Sequence, residues 1–201
     1  MAQKLLLGFA FLLSACAQQK VTLNSSSMVP FKRLESTINT TKLKGELNVL
    51  SFTDQRKKAG AVGVAKTGLG NIETPIFLDM APEEYVKTRF VSGLSKRGIS
   101  VGNSKYGLRG NIKKLWVWEQ IEGLRPEASN CEMEIEFDIV AVKENDVRFH
   151  GVVSSSAMGS DGIIDTTHSN GAVLEFCMNY VLEKFVQDPK LQSFLGFEVV
   201  K

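Results

Sequence analysis

Between Cys131 and Ala141 the chain alternates with a period of two. Cys131, Met133, Ile135, Phe137, Ile139 and Ala141 fall on one side, and Glu132, Glu134, Glu136 and Asp138 on the other. In a helix this pattern would scatter the apolar residues round the axis, whereas in a strand it lines them along one face. The segment therefore commits the fold to a sheet with a core face and a solvated face. Lys143-Glu144-Asn145-Asp146 then makes a turn, and Val147 to Ala157 returns as the second strand of a hairpin.

The rest of the chain is read outward from that hairpin. Leu47 to Phe52 has the apolar density of another strand, which ends in Thr53-Asp54-Gln55-Arg56 and runs into a loop holding Gly60, Gly63, Gly68 and Gly70. Ala81-Pro82-Glu83-Glu84 opens a helix, with proline tolerated in the first turn and the acids favourable at the positive end of the macrodipole. Its stripe is Tyr85, Val86, Phe90, Val91 and Leu94, and Arg97-Gly98 closes it. A short strand at Ile99 to Val101 and a long one from Leu108 to Trp118 follow, the latter with a bulge at Lys113-Lys114. Gly123 and Pro126 predict a loop from Glu119 to Asn130, and a further loop spans Gly159 to Thr167. Ser169 or Asn170 is placed to cap a second helix carrying Val173, Phe176, Cys177, Tyr180, Val181 and Phe185, which Asp188-Pro189 stops. A docked tail with Leu191, Phe194, Leu195 and Phe197 completes the chain. The expected fold is α+β, a mixed, mostly antiparallel sheet with two main helices packed on one face.

The N-terminus belongs to a different class of segment. Lys4 supplies a positive n-region, Leu5 to Leu13 an apolar h-region too short to span a bilayer, and Leu13-Ser14-Ala15-Cys16 a small-residue cleavage site resembling a bacterial lipobox. That resemblance implies lipid on the thiol of Cys16 and cleavage before it, so that several acyl chains hold the mature protein stably at a membrane. Ala17, where an aspartate would signal retention, favours the outer membrane, with the domain facing the periplasm. The expected organisation is a signal peptide at 1–15, a polar lipid-attached tether at 16–45 and a single domain at 46–201. Removing Lys4 lowers the formal charge from +2 to +1, which gives no field to attract nucleic acid. With only His150 and His168, and no close pair of cysteines or histidines, the sequence predicts no metal site and no cofactor. Cys131 on its strand and Cys177 on its helix stripe could be bridged if those faces meet, or could remain two core thiols.

The lipobox and polar spacer are followed by an apolar strand ending in Asp54-Gln55-Arg56 with Gly60 soon after. Then comes a helix finishing near Leu94-Ser95-Lys96-Arg97-Gly98-Ile99-Ser100-Val101. Together these resemble the YajG-like group of bacterial lipoproteins over roughly Cys16 to Val117. The resemblance implies an outer-membrane-anchored periplasmic protein with no catalytic residues to carry over. Related sandwiches include auxiliary subunits of envelope transport machines. The long 60–80 loop, the two tryptophans and the extra cysteine pair depart from the family pattern.

Several residues invite a sharper reading. Asp54 and Arg56, with Gly60 and Gly63, could form an anion or peptide clamp, or they could simply shape the loop. The glycines do not match a phosphate loop, since neither G-x-x-x-x-G-K-[ST] nor a helix opening on the last glycine is present. Trp116 and Trp118 share a strand face, as a sugar-stacking platform requires and as core packing also explains. Ser160, Asp161, Asp165 and His168 have the side-chain types of a hydrolase without a nucleophile elbow, and the acidic face 132–138 could meet a basic partner. The function expected is a non-enzymatic binding or assembly module with an envelope protein as partner, the alternatives being glycan or lipid binding at Trp116 and Trp118 and, last, hydrolysis.

Overall fold

The computed structural model describes residues 20–30, 41–57, 60–67, 72–122, 125–159 and 166–200. Leu13, Ser14, Ala15 and Cys16 lie outside the described residues. In chain order the elements are β1 (Val21–Leu23), β2 (Leu43–Asp54), β3 (Gly63–Thr67), β4 (Ile72–Leu78), α1 (Pro82–Lys96), β5 (Ile99–Val101), β6 (Tyr106–Glu122), β7 (Arg125–Ala141), β8 (Asp146–Gly159), α2 (Thr166–Gln187), α3 (Pro189–Leu195) and β9 (Glu198–Val199). The fold is α+β, with its strands in one mixed sheet. Among the described residues no helix is long and apolar enough to cross a membrane.

β6 is the axis of the sheet. β7 pairs antiparallel along nearly its whole length, from Tyr106↔Ala141 to Glu122↔Arg125. On the opposite edge of β6 two strands lie end to end: β2 runs parallel to it as far as Asp54↔Ile112, and β3 takes over at Gly63↔Val117. Gly63 is required at that joint, because a Cβ there would run into the Val117 carbonyl. β8 extends the sheet beyond β7, β4 beyond β3, and β5 and β9 pair with β2.

Several regions differ from the sequence reading. Part of the expected tether is β1, which pairs in parallel with β4 from Val21↔Ile76 to Leu23↔Leu78 and buries Leu23 to 1% exposure. Two apolar residues at alternate positions suffice once a neighbouring edge accepts them. Much of the 60–80 loop is the β3–β4 hairpin, in which Val62, Ala65, Ile76 and Leu78 join the core. The loop expected at 119–130 is instead the end of the β6–β7 ladder, a register shift between Gln120 and Ile121 accommodating Pro126 opposite Ile121. α2 starts at Thr166, so Ser169 and Asn170 are buried residues inside it and not caps. The tail forms α3, capped by Asp188, whose side chain accepts from the amides of Lys190 and Leu191, and then β9.

The core lies between the sheet and the helices. The alternating residues of β7 are all buried, and α2 packs on β7 and β8 while α1 packs on β2 and β5. A chain of rings ties these parts together. Phe52 meets Phe90 with centroids 5.0 Å apart, Phe90 meets Phe185 at 5.5 Å, and Phe185 meets Phe137 at 4.9 Å. Cys131 of β7 and Cys177 of α2 form a disulfide across the same layer, their Cα atoms 6.5 Å apart.

Candidate functional site

The Asp54–Arg56 motif sits in the gap between β2 and β3 along the edge of β6. Arg56 forks onto Asp54, Nε to Oδ1 at 2.8 Å and Nη2 to Oδ2 at 2.7 Å, and its Nη1 donates to the carbonyls of Ala61 and Leu115 at 2.8 and 2.9 Å. These are backbone acceptors that the missing stretch of neighbouring strand would otherwise serve. The pair is 5% and 13% exposed, and the Arg56 guanidinium holds the Asp54 carboxyl below its ordinary range. All three of its side-chain nitrogens are engaged within the joint, so Arg56 shapes the loop. Gly60, at φ +89°, turns the chain back toward β3.

Charged groups that the sequence reading did not single out line the contact between α1 and α2. Arg97 binds Glu183 through Nε at 3.0 Å and Nη2 at 2.9 Å, and Glu183 also accepts from the amide and hydroxyl of Thr41. Farther along, Glu175 takes the hydroxyl of Tyr85 at 3.0 Å and the guanidinium of Arg89 at 2.5 Å. Burial pushes the Glu175 carboxyl above its ordinary range, and burial followed by the Glu175 charge pushes the Tyr85 hydroxyl well above its own. Arg89 also donates to the Ser25 carbonyl, tying the turn after β1 to the helices. A cleft of about 340 Å³ opens beside these groups, lined by Met28, Pro30, Arg89, Lys96 and Asn179. The only trace in the sequence is an acid interrupting the apolar stripe of α2 at Glu175 and again at Glu183. At the far end of the core Glu119, 1% exposed, accepts from the Lys66 amide and the Asn170 side chain, both at 2.7 Å.

The opposite face of β6, β7 and β8 carries the exposed charges. Lys113 meets Glu136 at 2.6 Å, Lys114 meets Glu132 at 3.8 Å, and His150 Nδ1 lies 2.8 Å from Asp138. The Lys113 ammonium, by its hydrogen bond, draws the Glu136 carboxyl below its ordinary range. Trp116 and Trp118 stand on this face, opposite Glu132 and Asn130, because Leu115, Val117 and Glu119 point into the core. Both indoles are half-buried, and neither belongs to the core cluster. A core role, the commoner use of such a pair, is thus not theirs.

Ser160, Asp161 and Asp165 lie outside the described residues, as does the side chain of His168 in the first turn of α2. His150 is half-exposed on a strand and pairs with acids. Among the described residues no group of three His, Cys, Asp or Glu side chains could hold a metal ion.

No family model matches the chain, and no curated protein does. Among solved structures, protein XCC0632 from Xanthomonas campestris, of the DUF330 family, is 11% identical over 88% of this chain and 92% of that one, with a TM-score of 0.55. The two share a fold. The PelC dodecamer from Paraburkholderia phytofirmans is 11% identical over 72% of this chain and 97% of that one at a TM-score of 0.38. A minor lipoprotein from Acinetobacter baumannii is 10% identical over 74% and 91% at 0.35.

Proposed function

We propose that this chain is an outer-membrane lipoprotein, cut before Cys16 and held by acyl chains on that cysteine. Its α+β domain faces the periplasm and serves as a non-enzymatic binding or assembly module for an envelope protein. The observation that carries the reading is the lipobox Leu13-Ser14-Ala15-Cys16 behind a short apolar h-region. The disulfide between Cys131 and Cys177 supports export, since such bonds persist in oxidising compartments. The resemblance of residues 16–117 to YajG-like lipoproteins supports the same location. The mechanism is positional: anchoring confines the domain to a plane and raises its effective concentration for a partner in the same envelope. Cross-linking in intact cells and purification of the lipidated protein is expected to recover one envelope protein reproducibly, and recovery of none contradicts the assembly role.

A second reading, glycan binding, is favoured by the placement of Trp116 and Trp118 on the sheet face away from the described helices. It predicts that soluble envelope polysaccharide alters tryptophan emission, an effect an assembly module lacks.

A further inference from the structure

Cross-strand register draws a single row over the sheet face away from the described helices: Met158 of β8 is opposite Asn130 of β7, Asn130 opposite Trp118 of β6, Trp118 opposite Val64 of β3, and Val64 opposite Pro75 of β4. Four strand spacings make it about 19 Å long. Four of its five members are apolar. Met158 is 61% exposed, and the others each keep part of their surface open.

The row ends where the chain comes in. Val21 is opposite Ile76, so Lys20, one residue earlier, stands level with Pro75, and it is exposed. Only three residues lie between Cys16 and Lys20, which makes four Cα steps. At full extension they reach about 14 Å. Acyl chains on Cys16 would therefore keep this corner of the sheet within about 14 Å of the bilayer.

We infer that the row Met158–Asn130–Trp118–Val64–Pro75 rests on the lipid surface and fixes the orientation of the domain on the membrane; the inference rests on lipid attachment at Cys16. Tryptophan is suited to the site, being enriched where hydrocarbon meets headgroups. Lys20 adds attraction to anionic lipid at the point of entry. Glu134, Glu136 and Asp138 do not oppose the contact. Outward residues of β7 recede from Asn130 by about 7 Å per pair, which puts Glu134, Glu136 and Asp138 about 14, 20 and 27 Å along the strand from the row; the β6–β7 ladder runs past the row the other way, to Glu122↔Arg125, so a domain tilted toward that end lowers the row and lifts these acids. Glu132, one step away, faces Lys114. Seated this way, the domain leaves the acidic end of β7 and β8 pointing into the periplasm for a protein partner.

The chain has two tryptophans, and both lie in or beside the row, so intrinsic emission reads the contact directly. The probe is the mature lipidated protein on phosphatidylethanolamine–phosphatidylglycerol vesicles, with bromine on the acyl chains near the headgroup. Flotation reports anchoring and emission reports the row. The expected result is flotation with an about twofold loss of emission, retained in Trp116→Phe, where Trp118 is the sole emitter. Met158→Asp should float equally and lose most of the quenching. Flotation with emission indifferent to bromine overturns the inference while leaving the anchor in place. Failure to float overturns both. Quenching unchanged in Met158→Asp, or emission answering to soluble polysaccharide and not to bromine, also contradicts it.

Discussion

Arg56 shows how one side chain can complete a sheet. β2 stops pairing with β6 at Ile112 and β3 resumes at Val117, and the guanidinium bridges the interval by serving the carbonyls of Ala61 and Leu115 while Asp54 neutralises it. Arg56→Ala takes the guanidinium from two carbonyls and from a buried carboxylate, which keeps only the hydrogen bond from the amide of residue 56. It should cost about 3–5 kcal/mol in chemical denaturation, and Arg56→Lys should recover only part of this because an ammonium cannot fork. The Asp54 carboxyl is held below its ordinary range, first by its hydrogen bonds from Arg56. The folded state thus gives up that proton more readily than the unfolded chain. The stability it contributes is complete above the unfolded value of about 4 and is lost as pH falls through the lower folded value. Asp54→Asn should therefore flatten the acid limb of a stability–pH profile, and an unchanged limb would show that the carboxylate contributes nothing. Glu175 has the opposite sign: its raised value makes the folded state the better proton binder, so its contribution falls as pH rises past the unfolded value.

At the scale of elements, the bond between Cys131 and Cys177 staples α2 to β7 across a sequence separation of 46 residues. In the chain-entropy model closing such a loop contributes about 4 kcal/mol. Reduction, or the double change Cys131→Ala with Cys177→Ala, should lower the melting temperature by about 10 °C. A melting point indifferent to reductant would contradict the bridge. The strands legible in the sequence were those whose own pattern carried the signal, above all β7 with its strict alternation, and α1 with its proline start and the left-handed Gly98 just beyond its end. What escaped were segments that become strands only through their neighbours. β1 is three residues on the edge of β4, and the ends of β6 and β7 pair in spite of Pro126. The clamp at Asp54 and Arg56 could be suspected from spacing alone, but its purpose depends on two strands meeting end to end, which is a property of topology. Likewise the tryptophans share a face by spacing, and only the bulge between Ile112 and Lys114 decides which face it is.

For the whole molecule, the layers divide the work. Among the described residues the helices pack on one side of the sheet over a disulfide-stapled core, and the other side carries charged pairs and an apolar row that points back toward the N-terminus. Such an arrangement suits a domain held at a surface by one corner. The claim on which this rests is lipid attachment at Cys16, and the most direct measurement is mass spectrometry of the N-terminal peptide of protein made in a bacterial host with its own export machinery. The expected peptide begins at Cys16 and is heavier than its sequence by a diacylglycerol and a further acyl chain. A peptide beginning at Met1 or Ala2, or one carrying an unmodified Cys16 thiol, would contradict it.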